Sequence, residues 1–291
     1  MFDSHAHITS ADCARYPAAG LTEPPAPETF DDPLTAERLL ALMDAAGVAR
    51  AMVVQKMHTY GFDNSYVVDA AAAHPKRLRA VCGVDGLSDR VGDDVRHWVG
   101  ERGAVGVRMA APWSRGEPVP KGDLRWLASE SAHRAFAAAE DLGAFLVLHF
   151  YAWNREDGLV VLLERLSEFR ELPVVIDHMS NFVPGLGQTP VDDPLLVRLA
   201  EFPNAVLKFS TINLLRWRDA GHDAGALMQA FVGLFGAGRI CWGSDISNSP
   251  GSYDEMIASA QAALAALDAE NRDAILSGTA AGLCGRAPAR A

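Results

Sequence analysis

The chain opens Met1-Phe2-Asp3-Ser4-His5-Ala6-His7-Ile8, which reads as a short strand starting at the N-terminus. Successive strand side chains point to opposite faces, so Asp3, His5 and His7 are expected to project together. Two imidazoles so placed can share one ion, and neutral imidazole is the commonest metal ligand among the roles of histidine. An HxH pair alone is a weak signal, equally at home as two buried core histidines. Further along lie His149, the pair Asp177-His178, and Asp245 in Gly243-Ser244-Asp245. His5, His7, His149 and Asp245 together offer three imidazoles and a carboxylate. That donor set suits one divalent ion, zinc by preference with manganese or iron(II) also compatible, and leaves a position open for water or substrate. His178 is either a further ligand or a group that polarises a carbonyl and moves a proton. For His149 or His178 taken singly, a core histidine satisfied by its neighbours is the better reading; the whole constellation favours metal.

Residues this far apart need a scaffold that gathers them. From Thr35 to Ala46, Leu39, Leu40, Leu42 and Met43 fall at helical spacing and Gly47 supplies a stop. A strand at 50–55 follows, then a helix from the Asp63-Asn64-Ser65 cap to Ala73 and a strand at 78–84. The alternation continues with a helix from Ser88 or Asp89 to Glu101 and a strand at 104–109. A helix from about Leu124 to Leu142 precedes a strand at 145–150, and one from Arg155 to Phe169 precedes a strand at 173–177. Pro194 to Phe202 leads into a strand at 205–210, and Ala220 to Phe235 into one at 239–242. Runs such as Val174-Val175-Ile176 and Phe145-Leu146-Val147-Leu148 are continuously apolar, as parallel strands covered on both faces must be. Strict strand–helix alternation implies right-handed crossovers, and eight such units fit a single-domain (β/α)8 barrel spanning residues 1–291. A doubly wound open sheet is the alternative. Its nucleotide-binding forms lack support, because neither a G-x-G-x-x-G after the first strand nor a G-x-x-x-x-G-K-[ST] is present.

In such barrels chemistry collects at the C-terminal ends of the strands. Those ends carry His5 and His7; Gln55, Lys56 and His58; Arg108; His149, followed by Tyr151 and Trp153; Asp177 and His178; Lys208 and Ser210; and Asp245. Four of the nine histidines fall at the ends of the first, fifth and sixth strands. His74, His97, His133 and His222 fall in helices or at their edges, where solvated side chains are expected, and His58 is ambiguous. Arg108 and Lys208 are candidates for holding a substrate carboxylate, one as a fork and the other as a point charge, with a structural salt bridge an equal alternative for each. His58 and Trp153 complete the substrate-binding candidates, and Trp113, Trp153 and Trp217 could wall a flat ring from loops. The Pro-rich stretch Thr9–Asp32 lacks apolar periodicity and is expected as an irregular loop near the mouth.

Composition limits the partners. Lys plus Arg number 26 against 37 Asp plus Glu, a formal charge of −11, which argues against nucleic acid or an anionic membrane. No basic segment precedes an apolar core at the N-terminus and no apolar run approaches a membrane span, so no leader is expected. Cys13, Cys82, Cys241 and Cys284 form no CxxC pair and read as reduced thiols of a cytoplasmic protein, Cys82 and Cys241 buried in strands. The expected partner is a small, anionic substrate. Homo-oligomers are common for barrels, but no stretch identifies an interface.

The opening His5-x-His7, Leu148-His149, Ile176-Asp177-His178 and Trp242-Gly243-Ser244-Asp245 resemble the amidohydrolase superfamily, nearly end to end. Val53-Val54-Gln55, Asp63-Asn64-Ser65-Tyr66, Gly106-Val107-Arg108 and Val174-Val175-Ile176-Asp177-His178-Met179 resemble its amidohydrolase-related branch, which includes 2-pyrone-4,6-dicarboxylate lactonase, sugar lactonases and decarboxylases. Dinuclear members carry a carboxylated lysine at the end of the fourth strand; Val105-Gly106-Val107-Arg108-Met109 has none, so the resemblance implies one metal at most. The dicarboxylate lactonases work without metal and lack a histidine where this chain has His149, which moves it towards the zinc-dependent members. The resemblance implies a metal-dependent hydrolase opening a small carboxylated lactone, derived from aromatic degradation or a sugar. Asp245 would be the general base and His178 the oxyanion stabiliser. A non-oxidative decarboxylase or a hydratase on the same site, a metal-free lactonase, and a non-catalytic binding protein are the competing readings.

Overall fold

The computed structural model describes residues 1–21, 25, 27–110 and 125–285. Trp113, Leu124 and part of the Thr9–Asp32 loop lie outside them. Eight strands are present: β1 (Phe2–Ala6), β2 (Arg50–Val54), β3 (Leu78–Asp85), β4 (Gly106–Ala110), β5 (Phe145–Leu148), β6 (Val174–Ile176), β7 (Ala205–Ser210) and β8 (Ile240–Gly243). Each pairs in parallel with the next in sequence order, and an Ala6–Ile246 bridge brings the last strand back towards the first. The protein is a (β/α)8 barrel.

The continuously apolar strands divide their side chains between two cores. Met52, Val54, Val81, Phe145, Val147, Val175, Val206 and Cys241 pack inside the barrel, while Ala51, Val53, Cys82, Leu146, Leu148, Val174, Ile176, Leu207 and Phe209 pack outside against helices. This period of two decides which polar residues meet. Two residues beyond Val147 comes His149; beyond Val175, Asp177; beyond Val206, Lys208 and then Ser210; beyond Cys241, Gly243 and then Asp245. All continue the inward row.

Strand β1 breaks the rule, which corrects the expectation that Asp3 joins His5 and His7. Phe2 packs inside but Ala6 and Ile8 pack outside, because the β1–β2 register shifts between Asp3 and Ala6. A bulge of this kind turns the following residues over. His5 and His7 face inward, whereas Asp3 serves the β1–β8 seam. Its carboxylate accepts from the Ser244 backbone N–H at 2.9 Å, Ser244 Oγ at 2.6 Å and Tyr253 Oη at 3.0 Å.

The helices largely follow the sequence pattern, for example Ala36–Ala45, Ser65–Ala73, Arg155–Glu168 and Pro194–Ala200. Two differ usefully. The stretch expected as one helix from Leu124 is divided by Ser129, whose side chain caps Glu130–Asp141 by accepting from Ala132 N. A helix Thr211–Asp219 immediately follows β7, and it holds Trp217 fully buried, stacked on Phe231 and donating to the Phe182 carbonyl. Trp217 is therefore a packing residue and not a loop wall for a ligand. Among the described residues no helix is long and apolar enough to cross a membrane. All four cysteines are free, Cys82 and Cys241 buried as expected.

Candidate active site

At the C-terminal end of the barrel, His5 Nε2 and His7 Nε2 lie 3.0 Å apart, and Asp245 Oδ1 lies 3.6 and 3.5 Å from them. All three side chains are buried. The Asp245 backbone has a left-handed φ of 59°, a conformation costly for a residue with a Cβ. It lets the Asp245 N–H donate to the His5 carbonyl at 2.7 Å, which locks the carboxylate over the histidine pair. Asp245 Oδ2 accepts from Ser249 Oγ at 2.7 Å, while Oδ1 is a buried acceptor without a hydrogen-bond partner. His7 is aimed by its other nitrogen, Nδ1, on the Val54 carbonyl at 2.8 Å.

These spacings bear on whether an ion fits. With bonds of about 2.0–2.1 Å, the ligand atoms of a tetrahedral ion stand roughly 3.3–3.4 Å apart, close to the observed 3.0, 3.5 and 3.6 Å. The orphaned Oδ1 and the His7–carbonyl bond are the features that an ion's ligands and their supports need. The residues fit a single small divalent ion.

Behind His5 sits Asp177, fully buried. Its oxygens lie 2.9 Å from Lys208 Nζ, 2.9 Å from Arg108 Nε and 3.5 Å from His5 Nδ1. Lys208 Nζ also lies 3.1 Å from His5 Nδ1. Burial opposes ionisation of Asp177, and Lys208, His5 and Arg108 outweigh it, holding the carboxyl well below its ordinary range. Asp245 is likewise pushed up by burial but held low by His7, His5 and His178. Burial lowers His5 and His178 to about 3 and drives His149 well below 6.5, so all three rings are neutral in the fold.

His178 is positioned by an unusual backbone. His178, Met179, Ser180 and Asn181 all have φ between 49 and 55°, a left-handed turn without glycine, of order 1–3 kcal/mol of strain per residue. The turn is braced from outside. Asn213 Nδ2 donates to the His178 carbonyl at 2.7 Å while its Oδ1 accepts from Ser210 N at 3.1 Å. Ser210 Oγ lies 2.7 Å from His178 Nδ1, Arg155 Nε donates to Ser180 Oγ at 3.1 Å, and Asn181 is held by the Phe150 carbonyl and Arg216.

A cavity of about 280 Å³ opens above, lined by His7, Lys56, His58, Arg108, His149, Tyr151, Trp153, His178, Arg216 and Asp245 among others. Trp153 and Tyr151 stack with ring centroids 5.7 Å apart at 7°. The sequence-derived candidates thus divide. His5, His7 and Asp245 converge, with His178 beside them at a ring-centroid distance of 5.2 Å from His5. His149 lies 5.1 Å from the His178 ring and does not join the His5, His7 and Asp245 group, its Nδ1 buried without a hydrogen-bond partner. Arg108, His58 and Trp153 line the cavity; Lys208 does not, being buried against Asp177 and His5.

A model of the family described as amidohydrolase matches residues 2–286. The chain belongs to the amidohydrolase family. No curated protein matches this chain in sequence. Among solved structures, one described as a probable 2-pyrone-4,6-dicarboxylic acid hydrolase from Acinetobacter baumannii, with citric acid bound, is 21% identical, covers 98% of each chain and has a TM-score of 0.71. An amidohydrolase from Burkholderia multivorans with bound zinc is 20% identical over 98% of this chain and 99% of its own, TM-score 0.69. The 5-carboxyvanillate decarboxylase of Sphingomonas paucimobilis is 15% identical over 98% and 99%, TM-score 0.68. At these identities the likeness is one of fold.

Three contributors have roles that the sequence pattern does not assign. Asp177 is visible as the inward residue after Val175, but its partners come from β1, β4 and β7. Lys56 follows β2, and its Nζ donates to Ser247 Oγ at 2.7 Å and to the Ser247 carbonyl at 3.2 Å across the mouth. Asn213 forms a capping box with Ser210, and Ser-x-x-Asn after an apolar strand is its only sequence signal.

Proposed function

We propose that this amidohydrolase is a hydrolase that opens a small anionic lactone. The observation that carries the reading is the charge of the cavity. Lys56, Arg108 and Arg216 line it, while Asp245 is the one carboxylate lining it among the described residues. In a chain of formal charge −11, such a pocket concentrates anions at one place. Its volume of about 280 Å³ is at the small end for ligand sites.

His5, His7 and Asp245 would hold a divalent ion, zinc or manganese. When bound, the ion makes a water more acidic and polarises a carbonyl. Ionised Asp245 accepts the proton of the attacking water and returns it to the ring oxygen that leaves. His178, neutral and braced by Ser210, donates to the carbonyl oxygen as negative charge develops there. Arg108 offers a guanidinium fork and Lys56 a point charge to the substrate's acidic group. The parallel Tyr151–Trp153 pair provides a flat wall for a ring.

The test is a panel of carboxylated lactones, followed by acid release at constant pH and by ¹⁸O from labelled water. Acid production with one labelled oxygen in the product, abolished in Asp245→Asn, is the expected result. Carbon dioxide release without label would replace lactone hydrolysis by decarboxylation.

A further inference from the structure

The two histidines of the candidate ion site differ in what holds their outer nitrogens. His7 Nδ1 lies 2.8 Å from the Val54 carbonyl. A carbonyl only accepts, so the His7 proton is on Nδ1 and its Nε2 presents a lone pair. His5 Nδ1 lies 3.1 Å from Lys208 Nζ. An ammonium has three donors and no lone pair. A lone pair on His5 Nδ1 meets the nearer of its two neighbours, which places a ring proton on Nε2. That proton meets the lone pair of His7 Nε2 across the 3.0 Å contact. With that proton on Nε2 the directions agree along the chain: Lys208 donates to His5, His5 to His7, and His7 to Val54.

The consequence is that His5 offers an N–H to the space between His5, His7 and Asp245, where an ion needs a lone pair. The other tautomer, with the proton on Nδ1, would set donor against donor at Lys208. An acceptor stands ready on the same side, since Asp177 Oδ1 is 3.5 Å from His5 Nδ1 and 2.9 Å from Lys208 Nζ. Lys208 and Asp177 are almost wholly buried, so water does not stand in for either.

We propose that Lys208 is a positioning residue that competes with the metal ion for His5. Its hydrogen bond to His5 Nδ1 holds the ion-free state, and ion binding exchanges that bond for one from His5 Nδ1–H to Asp177. The ring has one proton before and after: it leaves Nε2, which takes the ion, and Nδ1 is protonated in its place. Lys208 keeps Asp177 throughout. The inference rests on the ion site proposed above and adds a cost that the chain imposes on filling it.

The experiment compares zinc affinity, by competition with a chromogenic chelator, in chelator-stripped wild-type, Lys208→Met and Lys56→Met proteins. Lys56 faces Asp245 but does not touch His5, so Lys56→Met reports the effect of removing a nearby positive charge alone. Lys208→Met is expected to bind zinc about 10- to 100-fold tighter, a change of the size, with the opposite sign, that follows loss of a supporting group behind a ligand, and Lys56→Met to change less. In parallel, ¹⁵N spectra of the wild-type His5 ring are expected to show the proton on Nε2 without zinc and on Nδ1 with it. Equal or weaker affinity in Lys208→Met, or a proton on Nδ1 in the ion-free wild type, overturns the role of Lys208. If circular dichroism shows Lys208→Met unfolded, the wild-type ring spectra decide alone. Zinc binding in none of the three proteins overturns the ion site itself, and the role of Lys208 with it.

Discussion

Replacing Gly243 by alanine strikes the seam on which the site is built. A Cβ at Gly243 would lie 2.4 Å from His5 Cβ, 2.9 Å from His5 N and 3.2 Å from His5 Cα. Carbon atoms in contact rest at about 3.5–4.0 Å, so β8 and β1 must part by about 1 Å. Neither side yields freely. The His5 carbonyl accepts from Asp245 N at 2.7 Å, and the ring is held between His7 and Lys208. Overpacking of this kind costs about 1–3 kcal/mol, a fall of several degrees in melting temperature for a domain of this size. The same displacement separates His5 from Asp245, and a misplacement of about 1 Å can cost roughly 100-fold in rate. At Gly282, in the helix Thr279–Cys284, an added Cβ would meet no atom within 4 Å. Alanine there should stabilise by up to about 1 kcal/mol through helix propensity. Thermal melts and zinc affinity measured on both variants should move in opposite directions for stability, with weakened zinc binding in Gly243→Ala alone. A Gly243→Ala protein that melts and binds zinc like the wild type would refute the claim that contact between β1 and β8 sets the ligand geometry.

Three further outcomes follow from the same geometry. Asn213→Ala leaves the His178 carbonyl and Ser210 N–H buried and unpaired, at about 1–3 kcal/mol each; a lowered melting temperature with a loss in kcat larger than the change in KM is expected, and an unchanged kcat would count against the brace. Stability of chelator-treated protein should fall as pH drops from about 6.5 to 3, because burial holds His5 and His178 to about 3 from an ordinary 6.5, so the unfolded chain binds more protons in that window. Melting temperatures flat between pH 7 and 4 would contradict it. Trp153→Ala, at an exposed cavity wall, should raise KM while leaving stability within about 0.5 kcal/mol, as read by initial rates and thermal melts.

The barrel was legible because its parallel strands are covered on both faces, which writes them as unbroken apolar runs such as Phe145–Leu148. The convergence of His5, His7 and Asp245 was legible because polar residues at strand ends interrupt those runs. The grouping of Asp3 with them failed because a single register shift in β1 reverses alternation, and no residue type in Asp3-Ser4-His5 announces a bulge. Lys208 reads equally as a substrate anchor or a salt-bridge partner from its place near a strand end. Its inward position below Ser210 decides for the second, against Asp177, a pairing between β7 and β6 that depends on which residues share a layer. Trp217 reads as a loop residue because Thr211–Asp219 mixes polar and apolar residues without a clean stripe, and the helix forms through its Ser210–Asn213 cap and tertiary packing. The left-handed turn at 178–181 contains no glycine to mark it and persists only because residues distant in sequence, Asn213, Arg216 and Arg155, hold it.

Elemental analysis of protein purified without chelator, beside His7→Ala, bears most directly on the central claim. About one equivalent of zinc or manganese per wild-type chain, lost in His7→Ala while that variant keeps its fold by circular dichroism, is the expected result. A wild-type chain that holds no divalent metal, even after incubation with zinc and manganese, would contradict the account.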